Sequence, residues 1–120
     1  MYIEGFVLPV KTAGRDQYIT EATYAADLFL GFGATRVVEA WADDAPVGEV
    51  TSFPRAVQLE EDETAVFSWI EYPDKCTRDA CNAKVMEDEK MKEQMESGLI
   101  AGRRMIYGGF TVLLDKGRGA

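Results

Sequence analysis

The stretch Tyr2-Ile3-Glu4-Gly5-Phe6-Val7-Leu8-Pro9-Val10 decides the fold. It is rich in the β-branched and aromatic residues that sit well on a pleated surface, with Pro9 near its end, so it reads as a strand. Side chains alternate across a strand. Ile3 and Val7 therefore face one way and Tyr2, Phe6 and Leu8 the other, with Glu4 among the second set. Both sets are apolar, so a sheet built around this strand needs cover on both sides.

Outward from it, Tyr18, Ala22, Ala25 and Phe29 recur at helical spacing between Ala13 or Arg15 and Leu30, and Gly31 and Gly33 supply stops. Ala34 to Ala42 predicts a second strand, and Asp43-Asp44-Ala45-Pro46-Val47-Gly48 is dense in turn formers. Val50 to Val57 reads as a short extended piece interrupted by Pro54. The run Glu60-Glu61-Asp62-Glu63 reads as a solvated turn before a third strand, Thr64 to Tyr72. Asp74 is placed to cap a helix running through Asp88, and a shorter helical piece carries Met91 and Met95. Gly98 and Gly102 then introduce a last strand, Arg104 to Leu114, in which Gly108-Gly109 predicts a bulge or, failing that, the close approach of another backbone or a ligand. The order βαββαβ predicts an α+β, ferredoxin-like domain over residues 1–120: an antiparallel sheet of spatial order 4-1-3-2 with the helices on one face.

Sorting the strands by alternation extends the two sets. Ile3, Val7, Val38, Ala40, Phe67, Trp69, Ile106, Phe110 and Val112 are almost purely apolar and are expected beneath the helices. Tyr2, Phe6, Leu8, Trp41, Val66, Ile70, Tyr107 and Leu113 make the other face, which helices on one side leave uncovered. Fully burying one large apolar side chain is worth about 1.5–3 kcal/mol, so that face is not left to water. A twofold partner presenting the same face solves the problem, and we expect a homodimer with sheets paired face to face around an enclosed space.

Composition narrows the chemistry. At 47% hydrophobic and 28% charged the chain is globular, and 13 basic against 21 acidic residues give a net charge of −8. Nucleic acid and membrane surfaces are thereby excluded as partners, since both are anionic. The absence of histidine removes Ser-His-Asp and Cys-His sites, His-ligated zinc and proximal-His haem. No metal or cofactor is expected. Cys76 and Cys81 lack the C-x-x-C spacing of a redox or zinc motif and read as small buried or half-buried apolar residues. Met1-Tyr2-Ile3-Glu4-Gly5 has neither a basic n-region nor an apolar h-region, which points to the cytoplasm.

Five blocks in order carry a resemblance. They are Asp43-Asp44-Ala45-Pro46, Val50-Thr51-Ser52-Phe53-Pro54-Arg55-Ala56-Val57, Phe67-Ser68-Trp69-Ile70, Asn82-Ala83-Lys84-Val85-Met86 and Arg104-Met105-Ile106-Tyr107-Gly108-Gly109-Phe110. Together they resemble the DUF1428 family of YbaA-like proteins over nearly the whole chain. The resemblance implies membership of the dimeric α/β-barrel superfamily, with ferredoxin-like subunits paired sheet to sheet. Two positions depart from the family's pattern: Ala40, where a cysteine is frequent, and Ala101, where an acidic residue is expected.

Glu4, Glu39, Ser68, Tyr107 and Thr111 fall among the apolar residues of the second face and are expected to line the space between the sheets. A partly desolvated carboxylate has its pKa raised and serves as a general base near neutral pH, so Glu39 and Glu4 are the candidate catalytic groups. The competing reading is structural: either glutamate pairs with Arg36, Arg55 or Arg104. Trp41, Ser68 and Tyr107 are candidate ligand-binding residues, and Arg55 a candidate for a substrate carboxylate. The expected function is that of a homodimeric barrel binding a small apolar or aromatic ligand between its sheets. The alternative, which the superfamily implies, is a cofactor-independent monooxygenase or isomerase acting on a small aromatic or quinol substrate.

Overall fold

The alternating stretch at the start of the chain forms β1 (Tyr2–Lys11), a central strand of the sheet in a computed structural model that describes residues 1–119. Along its whole length β1 pairs antiparallel with β3 (Glu63–Tyr72), and on its other side with β4 (Ile106–Thr111). An edge strand, β2 (Arg36–Trp41), pairs with β3. The order β2-β3-β1-β4 is the expected 4-1-3-2 read from the other edge. Helix α1 (Arg15–Gly31) connects β1 to β2, and α3 (Lys75–Val85) with α4 (Glu89–Glu96) connects β3 to β4. This is the α+β, ferredoxin-like arrangement.

Local chemistry explains the boundaries. After α1 the chain turns through Gly33, whose φ of 120° suits a residue without a β-carbon, and Ala34 N–H bonds back to Phe29 C=O. Asp74 caps α3 by accepting the Thr77 N–H at 2.7 Å. Asp88, expected inside that helix, instead caps α4 by accepting from Met91 N–H and also takes the Tyr24 hydroxyl. The piece expected to be extended over Val50 to Val57 contains a short helix, α2 (Phe53–Ala56). Ser52 caps it by accepting the Arg55 N–H, and Pro54 occupies its first turn, where no donor is missed. The last strand stops at Thr111 because β1, its sole partner, begins at Tyr2; only Val112 N–H still reaches Met1 C=O. Beyond that point Leu113 and Leu114 are exposed.

Alternation sorted the side chains into two sets correctly, but the assignment of sets to faces is reversed. Beneath the helices lie Tyr2, Glu4, Phe6, Leu8, Trp41, Val66, Ser68, Ile70 and Tyr72, packed against Tyr18, Ala22, Cys81 and Val85. Facing away lie Ile3, Val7, Phe67, Trp69, Ile106, Phe110 and Val112. The reason is polar. The set that goes under the helices contains Glu4 and Glu39, and helices offer donors to a buried carboxylate, whereas an identical sheet face offers none. Of the open face, Phe67 remains 47% and Phe110 62% exposed, and a depression of about 540 Å³ lies over Gly5 between Ile3, Phe67, Trp69 and Phe110. Only one end is covered: α2 folds over it, with the Phe53 ring 5.7 Å from Phe67 and Pro54 and Val57 buried.

The acidic run is not wholly solvated either. Glu63 is buried, and both its oxygens accept from the Arg104 guanidinium at 2.8 and 2.6 Å. Arg104 also donates to Val57 and Gln58 carbonyls. It thereby ties the α2 segment to the turn before β4, which is why that strand starts at Ile106 instead of Arg104.

Gly108-Gly109 makes no bulge: Gly5 stands opposite Gly108 and Glu4 opposite Gly109 in unbroken register. Gly109 answers to a steric demand. A β-carbon there would collide with the Tyr2 hydroxyl and Arg78 Nη1, side-chain ends held in place by their hydrogen bonds around Glu4. Gly109→Ala should therefore destabilise the fold by about 1–3 kcal/mol in urea unfolding, the usual cost of overpacking. Gly108→Ala, whose nearest contact is 3.6 Å away on an open face, should cost less. Equal effects of the two substitutions would contradict this account of Gly109.

Candidate functional site

Edge strand β2 places Glu39 and Trp41 on the helix face, with Ser68 and Val66 opposite them on β3. Helix α1 crosses above and lowers Tyr18 onto this corner. Tyr18 is buried, and its hydroxyl donates to Glu39 Oε1. Between α1 and β2 runs an open groove of about 360 Å³, walled by apolar side chains such as Ile19, Ala22, Val37 and Val66 and holding Tyr18, Glu39 and Trp41. Its volume lies at the lower end of the ~300–1,000 Å³ of small-molecule sites.

Glu39 is exposed to the groove, its Oε1 accepts the Tyr18 hydroxyl, and Ser68 is its cross-strand neighbour on β3. Partial desolvation beneath α1 pushes the Glu39 carboxyl above the ordinary range, and the hydrogen bond from Tyr18 opposes the rise. Burial likewise raises the Tyr18 phenol, with the Glu39 charge adding to the effect, so Tyr18 stays a donor at any ordinary pH. At the same corner the Arg15 guanidinium lies over the Trp41 ring, 5.8 Å from its centroid.

Of the residues expected to converge, Glu39, Trp41 and Ser68 do meet, though beneath a helix and not between sheets. The others do not join them. Glu4, 5% exposed, lies under α3 and accepts from Arg78 Nη1 at 2.9 Å and Asn82 Nδ2 at 3.1 Å, an ion pair internal to the fold. The Arg78 guanidinium also lies over the Tyr2 ring at 4.9 Å. The partner of Glu4 is thus Arg78, not Arg36, Arg55 or Arg104. Tyr107 sits on edge strand β4, beyond the reach of the helices, 68% exposed and stacked on Phe6 at 6.3 Å. Thr111 is exposed at the end of that strand, and Trp69 lies on the open face with its indole N–H bonded to Glu71. Arg55 is exposed on α2, and nothing brings it to the groove.

Sequence reasoning missed Tyr18 and Arg15 as groove residues. The signal for Tyr18 was a phenol on the buried stripe of a helix, where its hydroxyl had to find an acceptor. Among the described residues, the oxygens of Glu60, Asp62 and Glu63 lie within 4.8 Å of one another, as metal-binding carboxylates do. Lys11 bonds Asp62 at 2.8 Å and Arg104 holds Glu63, so the chain's own cations neutralise that cluster. Cys81 is buried and Cys76 exposed, both as free thiols; the exposure of Cys76 departs from expectation. No helix among the described residues is long and apolar enough to cross a membrane.

A four-stranded antiparallel sheet with its helices on one face and a groove at one edge defines a ferredoxin-like α+β protein. A crystal structure described as a dimeric ferredoxin-like protein from an uncultured marine organism superposes with a TM-score of 0.65, covering 98% of this chain and 100% of that one at 10% identity. The chain belongs to the family described as "Protein of unknown function (DUF1428)", whose model matches residues 1–101. It is 53% identical over 115 residues to the "Uncharacterized protein YbaA" of Escherichia coli K12, covering 96% of this chain and 98% of the relative. The YbaA of Shigella flexneri matches to the same extent.

The Tyr18 hydroxyl stabilises the charged form of Glu39, so its removal leaves burial less opposed. In Tyr18→Phe the Glu39 carboxyl should titrate at higher pH than in the wild type when followed by carboxyl carbon NMR. An unchanged or lower midpoint would contradict the groove electrostatics described above.

Proposed function

We propose that this protein is a homodimeric small-molecule-binding protein. Two copies pair through their open sheet faces, and each carries an apolar groove between α1 and β2 for a small aromatic ligand. The observation that carries the binding reading is the groove's composition: apolar walls, one indole, and a carboxylate already held by a buried phenol. Ligand sites characteristically combine apolar walls with few convergent polar groups. The dimer reading is supported by Phe67, Ile106 and Phe110 standing about half exposed on one continuous apolar face, and by the dimeric description of the marine ferredoxin-like protein. In this arrangement the ligand lies on the outer, helical side of each subunit, and the sheets meet without it. A cytoplasmic setting accords with two free thiols.

A second reading draws on Glu39 itself. A carboxylate with raised pKa beside an open groove is suited to accept a proton from bound substrate. That would make the protein a cofactor-independent monooxygenase or isomerase with Glu39 as base and Trp41 beneath the ring.

Sedimentation equilibrium at micromolar concentration should give a dimer, and Phe110→Asp a monomer. A thermal-shift screen of small aromatics should find compounds that raise the midpoint of the wild type but not of Trp41→Ala. A monomeric wild type refutes the pairing, and a screen without Trp41-dependent shifts refutes the groove.

A further inference from the structure

The groove's polar groups specify more than an aromatic ring. Glu39 Oε1 takes the Tyr18 hydroxyl, its one side-chain hydrogen bond among the described residues. An ionised carboxylate has about four lone-pair sites, so acceptor capacity remains toward the groove and calls for a donor on the ligand. Tyr18 cannot supply anything further, because its proton is committed to Glu39.

At the other end stands Arg15. Its guanidinium lies over Trp41, and among the described residues it enters no ion pair, unlike Arg36, Arg78 and Arg104. A guanidinium with free N–H groups at the mouth of a groove is matched by a carboxylate, which it binds through two parallel hydrogen bonds. The residues marking the two ends on the strand are Glu39 and Trp41, two positions apart on one face. Two strand residues span about 6.6 Å, close to one benzene ring with substituents at opposite corners.

We propose that the α1–β2 groove binds a para-hydroxyaromatic carboxylate, its ring lying along the groove between Glu39 and Trp41, its hydroxyl donating to Glu39 and its carboxylate held by the Arg15 guanidinium over the Trp41 indole. This rests on the groove being the ligand site, and it deepens that reading by naming the ligand class. The chain's net charge of −8 does not oppose it at close range, because screening at physiological salt confines exposed charges to about 8 Å.

The test is titration calorimetry with 4-hydroxybenzoate, benzoate, phenol and tyramine against the wild type, Arg15→Gln, Glu39→Gln and Trp41→Ala. 4-Hydroxybenzoate should bind about tenfold or more tighter than benzoate or phenol, as one charge-assisted hydrogen bond implies. Arg15→Gln should erase its advantage over phenol, and Glu39→Gln its advantage over benzoate. Arg15 is exposed, so its replacement leaves the fold intact, and thermal midpoints check this for each variant. If phenol equals 4-hydroxybenzoate and Arg15→Gln changes nothing while Trp41→Ala abolishes both, the acid class is refuted and the groove stands. Tighter binding of tyramine overturns the proposal in favour of a cationic ligand. Binding that survives Trp41→Ala overturns the groove itself.

Discussion

The carboxylate of Glu4 is the constraint on which the architecture turns. It stands on a central strand, where water cannot reach it, and a buried charge must be paired and hydrogen-bonded to be tolerated. Arg78 and Asn82 meet that need from one face of α3, four residues apart and therefore one above the other. At the exposed edge of the same face, Tyr18 on α1 donates its hydroxyl to Glu39. The two helices are thus held to the face that carries the glutamates, and Gly109 is kept bare so that Tyr2 and Arg78 fit beside Glu4.

What remains follows by exclusion. With the polar needs met on one side, the other side of the sheet is free to be apolar throughout, and α2 covers only the end near Val7 and Phe67. A second copy, as proposed, would bring to this face a surface that matches it by construction. The groove arises from the same packing. Because Tyr18 draws α1 down onto Glu39, Trp41 at the end of β2 is left in an open cleft with Arg15 over its ring. The proposed pairing surface and the proposed ligand groove therefore lie on opposite faces of one sheet.

Strand order was legible in the βαββαβ succession, and the division of side chains into two sets in the alternation of Tyr2–Val10 and Thr64–Tyr72. Which face the helices cover was not, since both sets are apolar and hydrophobicity cannot choose between them. The choice was nonetheless encoded: Arg78 and Asn82 share a helix face, as do Arg15 and Tyr18 a helix end, and each looks toward a glutamate or an indole on the sheet. Weighing Glu4 and Glu39 as acids needing donors, instead of as chemistry facing a cavity, would have oriented the sheet. The helix α2 was hidden by reading Pro54 as a strand breaker when Ser52 before it marked a cap. Glu63 was misjudged because its partner, Arg104, lies far along the chain and no local pattern joins them.

The measurement that bears most directly on this account is a double-mutant cycle on Glu4 and Arg78, using Glu4→Gln, Arg78→Met and the double variant in reversible urea unfolding. Arg78→Met strands the buried Glu4 carboxylate and should cost about 3–5 kcal/mol, Glu4→Gln should cost less because Arg78 keeps Asp79 at 2.8 Å, and the double variant should lose clearly less than the sum of the two. Strictly additive losses would mean that the two residues do not sense each other, and that something other than this pair sets which face of the sheet the helices cover.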